Sequence, residues 1–128
     1  VLEVCGLDAQ PQQHCDGKSI LPVLKGDESY DRGPVFWHYP HYGNQGGTPG
    51  SSVREGDYKL IEFFEDNRIE LYNLKDDISE ETNLAEQLPD IAKDLHVKLA
   101  QWRQDVFARI PQRNPSYEPF DRFAVTNQ

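Results

Sequence analysis

The 128-residue sequence contains no methionine and only two cysteines, Cys5 and Cys15. Two cysteines are too few for a disulfide framework, and neither belongs to a Cys-x-x-Cys pattern of the kind that binds metals or exchanges disulfides. The sequence leaves open whether the two thiols are bridged, and two inert thiols are the simpler interpretation.

Basic residues and long apolar runs are also scarce. Thirteen Lys and Arg stand against 22 Asp and Glu, which gives a formal net charge of −9. A general nucleic-acid binder or a protein of anionic membrane surfaces needs a basic face, so we expect neither partner. No apolar run approaches the roughly 18–20 residues of a membrane span, and Val1 does not open a signal-peptide pattern.

Sequence motifs of catalysis are missing as well. The chain has no Gly-x-Ser-x-Gly elbow, Walker loop, His-Glu-x-x-His pair or dinucleotide glycine fingerprint. Its many carboxylates are scattered and define no acid/base pair. We therefore assign no catalytic residue and no metal site.

Four segments of the chain have the composition of β-strands. Short turns at Gly56 and Asn67 join the last three, so these form an antiparallel meander. The tyrosine- and phenylalanine-rich third segment is apolar on both faces, so one face is expected to pack on a helix and the other on a different part of the protein. The segments are Pro34–Tyr39, Ser52–Arg54, Tyr58–Phe64 and Arg68–Leu74.

A single amphipathic helix is predicted after the meander, from Pro89 to Ile110. Proline suits the first helical position, and Pro111 ends the pattern. Trp102 is predicted to be a core residue, and His96, beside the apolar stripe, to have a surface or packing role rather than a chemical one. The stripe consists of Ile91, Leu95, Leu99, Trp102, Val106 and Ile110. The predicted fold class is therefore α+β: a small antiparallel sheet of about four strands packed against a C-terminal amphipathic helix.

The chain divides into three parts. Residues 1–26 are interpreted as the end of a preceding helix, a linker and a short helical turn. Residues 27–111 hold the sheet and the helix 89–110, and residues 112–128 form an irregular tail. Val1–Leu7 resembles the last turn of a helix with Gly6 as its stop, which predicts a fragment of a longer polypeptide. A mature chain after processing is the alternative.

One window has a charge unlike that of the remainder. No Asp or Glu occurs from Pro34 to Val53, where histidines, tyrosines and amides accumulate around four loop glycines. Such a loop suits an anionic or sugar ligand, because local donors must overcome the repulsion of a negative protein. Two interpretations compete with ligand contact: a glycine-rich connection whose aromatics merely pack, or a metal held by His38-x-x-His41, which is a weak motif.

Several segments, in the same order, resemble the C-terminal region of type I sulfatases, the arylsulfatase family of the alkaline-phosphatase superfamily. The resemblance covers nearly the whole chain and fades after Ile110. The segments that carry it are Val1–Leu7, Asp16–Gly26, Phe36–Tyr42 (FWHYPHY), Val53–Ile61 (VREGDYKLI), Glu70–Asp77 (ELYNLKDD) and Glu81–Ala85 (ETNLA).

The resemblance implies the C-terminal subdomain of a bacterial sulfuric ester hydrolase. Such enzymes use a formylglycine nucleophile and a calcium ion, and both are expected in a catalytic domain that precedes this segment. Neither Cys5 nor Cys15 lies in the formylglycine motif Cys-x-Pro/Ala-x-Arg, so the chain is not expected to be catalytic by itself. Its own catalytic domain and a sulfated small molecule or glycan are the expected partners.

The resemblance also indicates which residues contact substrate. In the family, the loop matching residues 37–50 borders the active-site cleft, so His38 and His41 are the first candidates for sugar or sulfate contact. Tyr42 and Arg54 rank below them, and Arg54 could instead pair with an acid at the domain interface.

Two alternatives and the compartment stay open at this stage. The chain could be an autonomous carbohydrate-binding or interaction module, or part of a phosphate- or phosphonate-ester hydrolase of the same superfamily. The sequence does not determine the compartment, although export to the periplasm or the medium is common among bacterial sulfatases.

Overall fold

The computed structural model of the chain describes residues 1–13 and 17–117. Cys15 lies outside these residues, and so does the bridge to Cys5 considered above. Asp16, the first residue of one sulfatase-like segment, and the tail after residue 117 also lie outside them.

The strands form one antiparallel meander, as predicted. Strands β1 (Val35–Tyr39), β2 (Gly50–Glu55), β3 (Tyr58–Phe63) and β4 (Ile69–Asn73) pair in the order β1-β2-β3-β4. Gly56 begins the two-residue β2–β3 turn with φ +57°, a backbone conformation that glycine adopts without strain. Asn67, also at φ 57°, closes the β3–β4 turn, and asparagine tolerates that region better than most residues.

Helix α2 (Pro89–Asp105) covers one face of the sheet, and a short helix α1 (Leu21–Leu24) precedes β1. Strand pairing aligns Phe36, Val53, Leu60 and Leu71 in one row across the four strands. Val53, Leu60 and Leu71 are fully buried there, beneath Leu95 and Leu99 of α2. The fold class is confirmed: an α+β domain with a four-stranded antiparallel sheet and a C-terminal helix.

The helix ends five residues before the predicted end at Ile110, and this prediction was wrong. Val106 is the C-cap, and the next residue, Phe107, turns into the left-handed region with φ 53°. Val106 and Ile110 are about half exposed instead of buried. The buried side of the helix continues through Arg103, four residues after Leu99. The prediction followed apolar residues alone, so it passed over Arg103 and assigned Val106 and Ile110 to the buried side.

Trp102 is a partly buried residue at the margin of the core rather than at its centre. Its ring stacks on Phe36 with centroids 4.9 Å apart. The stack joins the helix to edge strand β1.

The segment after β4 protects the outer edge of that strand. The Asn83 side-chain oxygen accepts the backbone N–H groups of Leu71 and Ala85, and the Leu84 N–H donates to the Leu71 carbonyl over 2.7 Å. Asp77 accepts the N–H groups of Glu81 and Thr82, and these bonds lower the pKa of its carboxyl. The ELYNLKDD and ETNLA segments therefore satisfy an edge that would otherwise be open. Among the described helices, none is long and apolar enough to cross a membrane.

Candidate functional site

The four sequence-predicted site residues lie in three different places. His38 on β1 pairs with Ser51 on β2, on the face that α2 covers. Arg54 lies on the opposite face, because it is one residue removed from Val53 and successive side chains of a strand alternate. His41 and Tyr42 belong to the loop of residues 40–49 that joins β1 to β2. The structure therefore brings His38, His41 and Tyr42 to one end of the sheet. Arg54 lies towards the other end of β2, on the face opposite His38.

Both ring nitrogens of His38 have partners within the chain. Nε2 lies 2.9 Å from the carbonyl oxygen of Arg109, and Nδ1 lies 2.7 Å from Oγ of Ser51. A carbonyl can only accept, so Nε2 carries a proton, and in the neutral ring Nδ1 must accept the Ser51 hydroxyl proton. His38 thus connects the segment after α2 to the start of the loop. To bind a ligand through either nitrogen it would have to give up one of these bonds.

Tyr42 ties the loop to the β3–β4 turn. Its hydroxyl donates to a carboxylate oxygen of Glu65 over 2.7 Å, and this bond raises the pKa of the Tyr42 phenol. His41 is exposed, and its ring meets Tyr39 edge to face with centroids 5.5 Å apart. His41 and Tyr42 are therefore both exposed, but the Tyr42 hydroxyl is engaged by Glu65, whereas the His41 ring is held by its contact with Tyr39.

Backbone bonds shape the remainder of the loop. The Gly43 N–H donates to the Gly47 carbonyl over 3.0 Å, and the Gly46 N–H donates to the Gly43 carbonyl over 3.1 Å. This small closed turn presents Asn44 and Gln45 to solvent. At the end of the loop, Gly50 lies so close to β3 that an added Cβ would be 2.7 Å from the Glu62 carbonyl oxygen. Only glycine allows the loop to enter the sheet at that point.

Arg54 stands on the open face of the sheet next to a second cation. Strand register places it directly opposite Lys59. Lys59 is neutralised by Glu80, with Nζ and Oε1 2.6 Å apart. Arg54 is exposed, and within residues 1–13 and 17–117 its guanidinium makes no ion pair.

Sequence analysis missed the charged cluster beneath α2. Arg103 Nη1 lies 2.6 Å from Oε2 of Glu62, and His96 Nε2 lies 3.0 Å from the same oxygen. Arg103 is 8 % exposed, and a charge so buried must be paired. The helical spacing of four from Leu95 through Leu99 to Arg103 is the signal that could have revealed it. A surface or packing role was predicted for His96, and the structure shows a polar contact with Glu62.

The described residues do not supply the cofactors that sulfatases use. No group of three or more potential ligands among His, Cys, Asp and Glu lies together in the described part of the chain. The sequence Cys5-Gly6-Leu7-Asp8-Ala9 does not fit the formylglycine motif. These residues therefore do not fit calcium or formylglycine.

Comparison with known proteins agrees with the fold and the motifs. The family model described as "N-sulphoglucosamine sulphohydrolase, C-terminal" matches residues 1–105. A curated protein of Formosa agariphila named "Sulfatase" is 37 % identical over 114 aligned residues, which cover 78 % of this chain and 21 % of that protein. The chain therefore spans about a fifth of the length of this relative.

Solved sulfatase structures share the architecture. A putative sulfatase from Bacteroides thetaiotaomicron superposes with a TM-score of 0.66 at 24 % identity, covering 88 % of this chain and 25 % of that one. A 2-O GAG sulfatase gives the same score and identity, with 88 % and 26 % covered. A further structure, described as a complex with its substrate D-glucosamine-2-N,6-O-disulfate, has a TM-score of 0.64 at 24 % identity and covers 86 % and 23 %. At this level of identity the superpositions establish the fold.

The match of the family model over most of the chain and the 37 % identity to a sulfatase agree with the motif order and with the four-stranded sheet under its helix. The chain belongs to the N-sulphoglucosamine sulphohydrolase C-terminal family of sulfatases.

Proposed function

We propose that this chain is the C-terminal subdomain of a sulfuric ester hydrolase that acts on a sulfated glycan or small molecule. In this role it supplies one wall of the substrate pocket and a docking surface for the catalytic domain, and it carries no catalytic group of its own. Calcium and formylglycine would be held by that other domain.

The observation that carries the proposal is the construction of the loop 40–49. It contains no acidic residue in a protein of net charge −9. Its start is anchored by His38, which precedes it, and by Tyr42, its third residue, and it presents His41 outward. An anion that approaches this loop meets His41 and the exposed amides of Asn44 and Gln45, whereas most of the surface repels it. The carboxylate of Glu65 beside the loop is engaged by the Tyr42 hydroxyl.

In this arrangement the four predicted residues have different tasks. His41 contacts the sugar or the sulfate, because its ring is exposed beside Tyr39. His38 and Tyr42 reach substrate only by exchanging an internal hydrogen bond, so they also position the loop. Arg54 lies on the other face of the sheet, where it fits an acid of the catalytic domain better than it fits substrate.

The open face of the sheet is the proposed docking surface. Trp37 and Tyr39 on β1 are 50 % and 57 % exposed there, with Ile61 and Phe63 of β3 half-buried on the same face, two strands away. No helix among the described residues covers this face, since α2 packs on the other. The chain spans about a fifth of a related sulfatase. An exposed aromatic surface of this kind is typical of an interface, and the catalytic domain is the partner proposed for it.

Steady-state kinetics of His41→Ala in the full sulfatase polypeptide test the pocket assignment. We expect KM for the sulfated substrate to rise at least about tenfold with a smaller change in kcat, because the contact acts in binding. Lys93→Ala, an exposed change on α2, is the control and should leave both constants unchanged. An unchanged KM in His41→Ala would contradict the assignment. Comparing sulfate, phosphate and phosphonate esters of one alcohol separates a sulfatase from its relatives, and activity confined to the phosphorus esters would overturn the proposal.

A further inference from the structure

The end of α2 carries a phenylalanine where a glycine is normal. The Phe107 N–H donates to the Gln104 carbonyl over 3.1 Å, and the Ala108 N–H donates to the Arg103 carbonyl over 2.9 Å. These two bonds define the Schellman motif, in which the residue after the C-cap adopts the left-handed conformation. Phe107 does so at φ 53°.

Among the described residues, glycine occupies the same position in two other motifs of this kind. Gly6 and Gly26 have φ of +69° and +83°. Their N–H groups donate to Glu3 and Val23, and those of Leu7 and Asp27 donate to Leu2 and Pro22. The backbone geometry is therefore shared, and only the side chain differs. A left-handed conformation is strained for any residue that has a Cβ and is unusual for a bulky one.

Phe107 obtains no compensating burial from the described residues. Its side chain is 90 % exposed, and Val106 and Ile110 beside it are about half exposed. We call these three residues the Phe107 patch. A shallow groove adjoins it, lined by Ala100, Arg103, Gln104, Phe107, Ala108 and Ile110. A strained backbone with an exposed aromatic side chain lowers the stability of this subdomain. A partner that buried the Phe107 ring would offset that loss with the free energy of burial.

The position of the patch indicates which partner covers it. The Arg109 carbonyl, within the patch segment, is held by His38 Nε2, two residues before the loop of the proposed pocket begins. The patch therefore adjoins the end of the sheet that carries the loop 40–49. In the proposed function the catalytic domain contacts that end of the sheet. The chain also covers only 21 % of the related sulfatase, so most of such an enzyme lies outside it.

We infer that the Phe107 patch is a second docking site for the catalytic domain of the same protein, with Phe107 inserted into an apolar pocket of that domain. The inference rests on the proposed function, because it requires that domain. It adds a specific anchor at the helix end, separate from the open face of the sheet. The αL backbone directs the Phe107 ring away from the subdomain's own core.

Replacing Phe107 by glycine in the full sulfatase polypeptide tests the inference by the sign of the effect. If nothing covers the ring, Phe107→Gly relieves strain and raises Tm or leaves it unchanged. If the catalytic domain covers it, the lost burial outweighs the relief, and we expect Tm to fall by at least about 2 °C. Ile78→Ala is the matched control, since Ile78 is 77 % exposed on the segment between β4 and α2, and it should leave Tm unchanged.

Hydroxyl-radical footprinting of the unaltered polypeptide gives a reading that needs no variant. We expect Phe107 to be oxidised at least about threefold more slowly than its exposure in the subdomain implies. Full reactivity would overturn the inference. Protection that disappears on dilution would assign the patch to a second copy of the chain and also overturn it.

The two proposals fail separately. A raised KM in His41→Ala with an unchanged Tm in Phe107→Gly keeps the pocket and removes the anchor. An unchanged KM in His41→Ala with a protected Phe107 keeps the anchor and removes the pocket assignment.

Discussion

The two faces of the sheet differ in composition and in what they contact. On the face under α2, aliphatic residues from β2, β3 and β4 are fully buried, and the polar exceptions are paired, as Glu62 is with Arg103. On the open face, Trp37 and Tyr39 meet solvent, and lysine, arginine and glutamate side chains pair along the surface. The first face closes a core within the chain. The second has the mixed aromatic and charged character of a surface that another domain contacts.

The same contrast separates the edges of the sheet. The backbone of Leu71 on β4 is paired with Asn83 and Leu84 from the segment that follows it. At the β1 edge, the described residues supply side-chain links instead, from His38 to Arg109 and from Phe36 to Trp102. The side of the molecule nearest β1 thus holds the loop, the Phe107 patch and the exposed aromatics, and function is proposed on that side.

The largest expected effect compares neighbouring residues on β3 that face opposite ways. Leu60→Ala should lower the free energy of unfolding by about 2–5 kcal/mol, because it leaves a cavity in a fully buried site. Ile61→Ala, on the open face, should cost about 1 kcal/mol or less in this chain. Urea denaturation of the two variants measures the difference. Equal losses would show that the open face is closed within the chain.

The second comparison sets the ion pair under the helix against the pair on the open face. A double-mutant cycle with Glu62→Gln and Arg103→Met should give a coupling energy of about 2–3 kcal/mol, since both groups are largely buried. The cycle with Lys59→Met and Glu80→Gln should give about 1 kcal/mol or less, because that pair is partly hydrated. A coupling energy below about 1 kcal/mol for the first pair would show that burial under the helix does not strengthen its ion pair relative to the pair on the open face.

The third effect is confined to alkaline pH and concerns the stability that Tyr72 confers at the β4 end of the open face. Burial, donation to Glu70 over 2.8 Å and the negative charges of Glu70 and Glu80 raise the pKa of the Tyr72 phenol from 10.0 to about 12. The folded state holds the proton more tightly than the unfolded chain does. The contribution to stability is therefore complete below pH 10 and is lost as the pH rises towards about 12.

Urea midpoints across that alkaline range test the assignment. Tyr72→Phe should lose less stability than the unaltered chain does as the pH rises. Tyr117→Phe, at an exposed tyrosine, should follow the unaltered chain. If the urea midpoints of Tyr72→Phe and of the unaltered chain fell in parallel as the pH rises, Tyr72 would not be responsible for the alkaline loss of stability.

Local sequence patterns were sufficient for the strands, the turns and the start of α2. Their signals involve neighbouring residues: the aromatic and aliphatic residues of Tyr58–Phe63, a glycine at position 56, and Pro89 at the first helical position. The end of α2 was mispredicted because a buried arginine replaced an apolar residue in the stripe. The partner of Arg103 is Glu62, forty-one residues away in sequence, and no local pattern contains that contact.

The candidate site shows the same division. Sequence identified the acid-free window, because an absence of carboxylates is a property of composition. It grouped His38, His41, Tyr42 and Arg54, because the family resemblance identifies residues by their position in a motif and not by the direction of their side chains. Tertiary structure separated them, since β alternation turns Arg54 away from His38 and hydrogen bonds to Ser51, Arg109 and Glu65 occupy His38 and Tyr42.

The amino-acid sequence by itself determined the family, through the resemblance of its ordered motifs. It also determined the order of the elements and the apolar character of both faces of β3, through neighbouring residues and their periodicity. Only the tertiary structure decided which face α2 covers, where that helix ends and which side chains remain available to a ligand or a second domain. Those outcomes depend on contacts such as Glu62 with Arg103 and His38 with Arg109. Such contacts join residues that are distant in sequence, and their free energy exists only once the chain has folded.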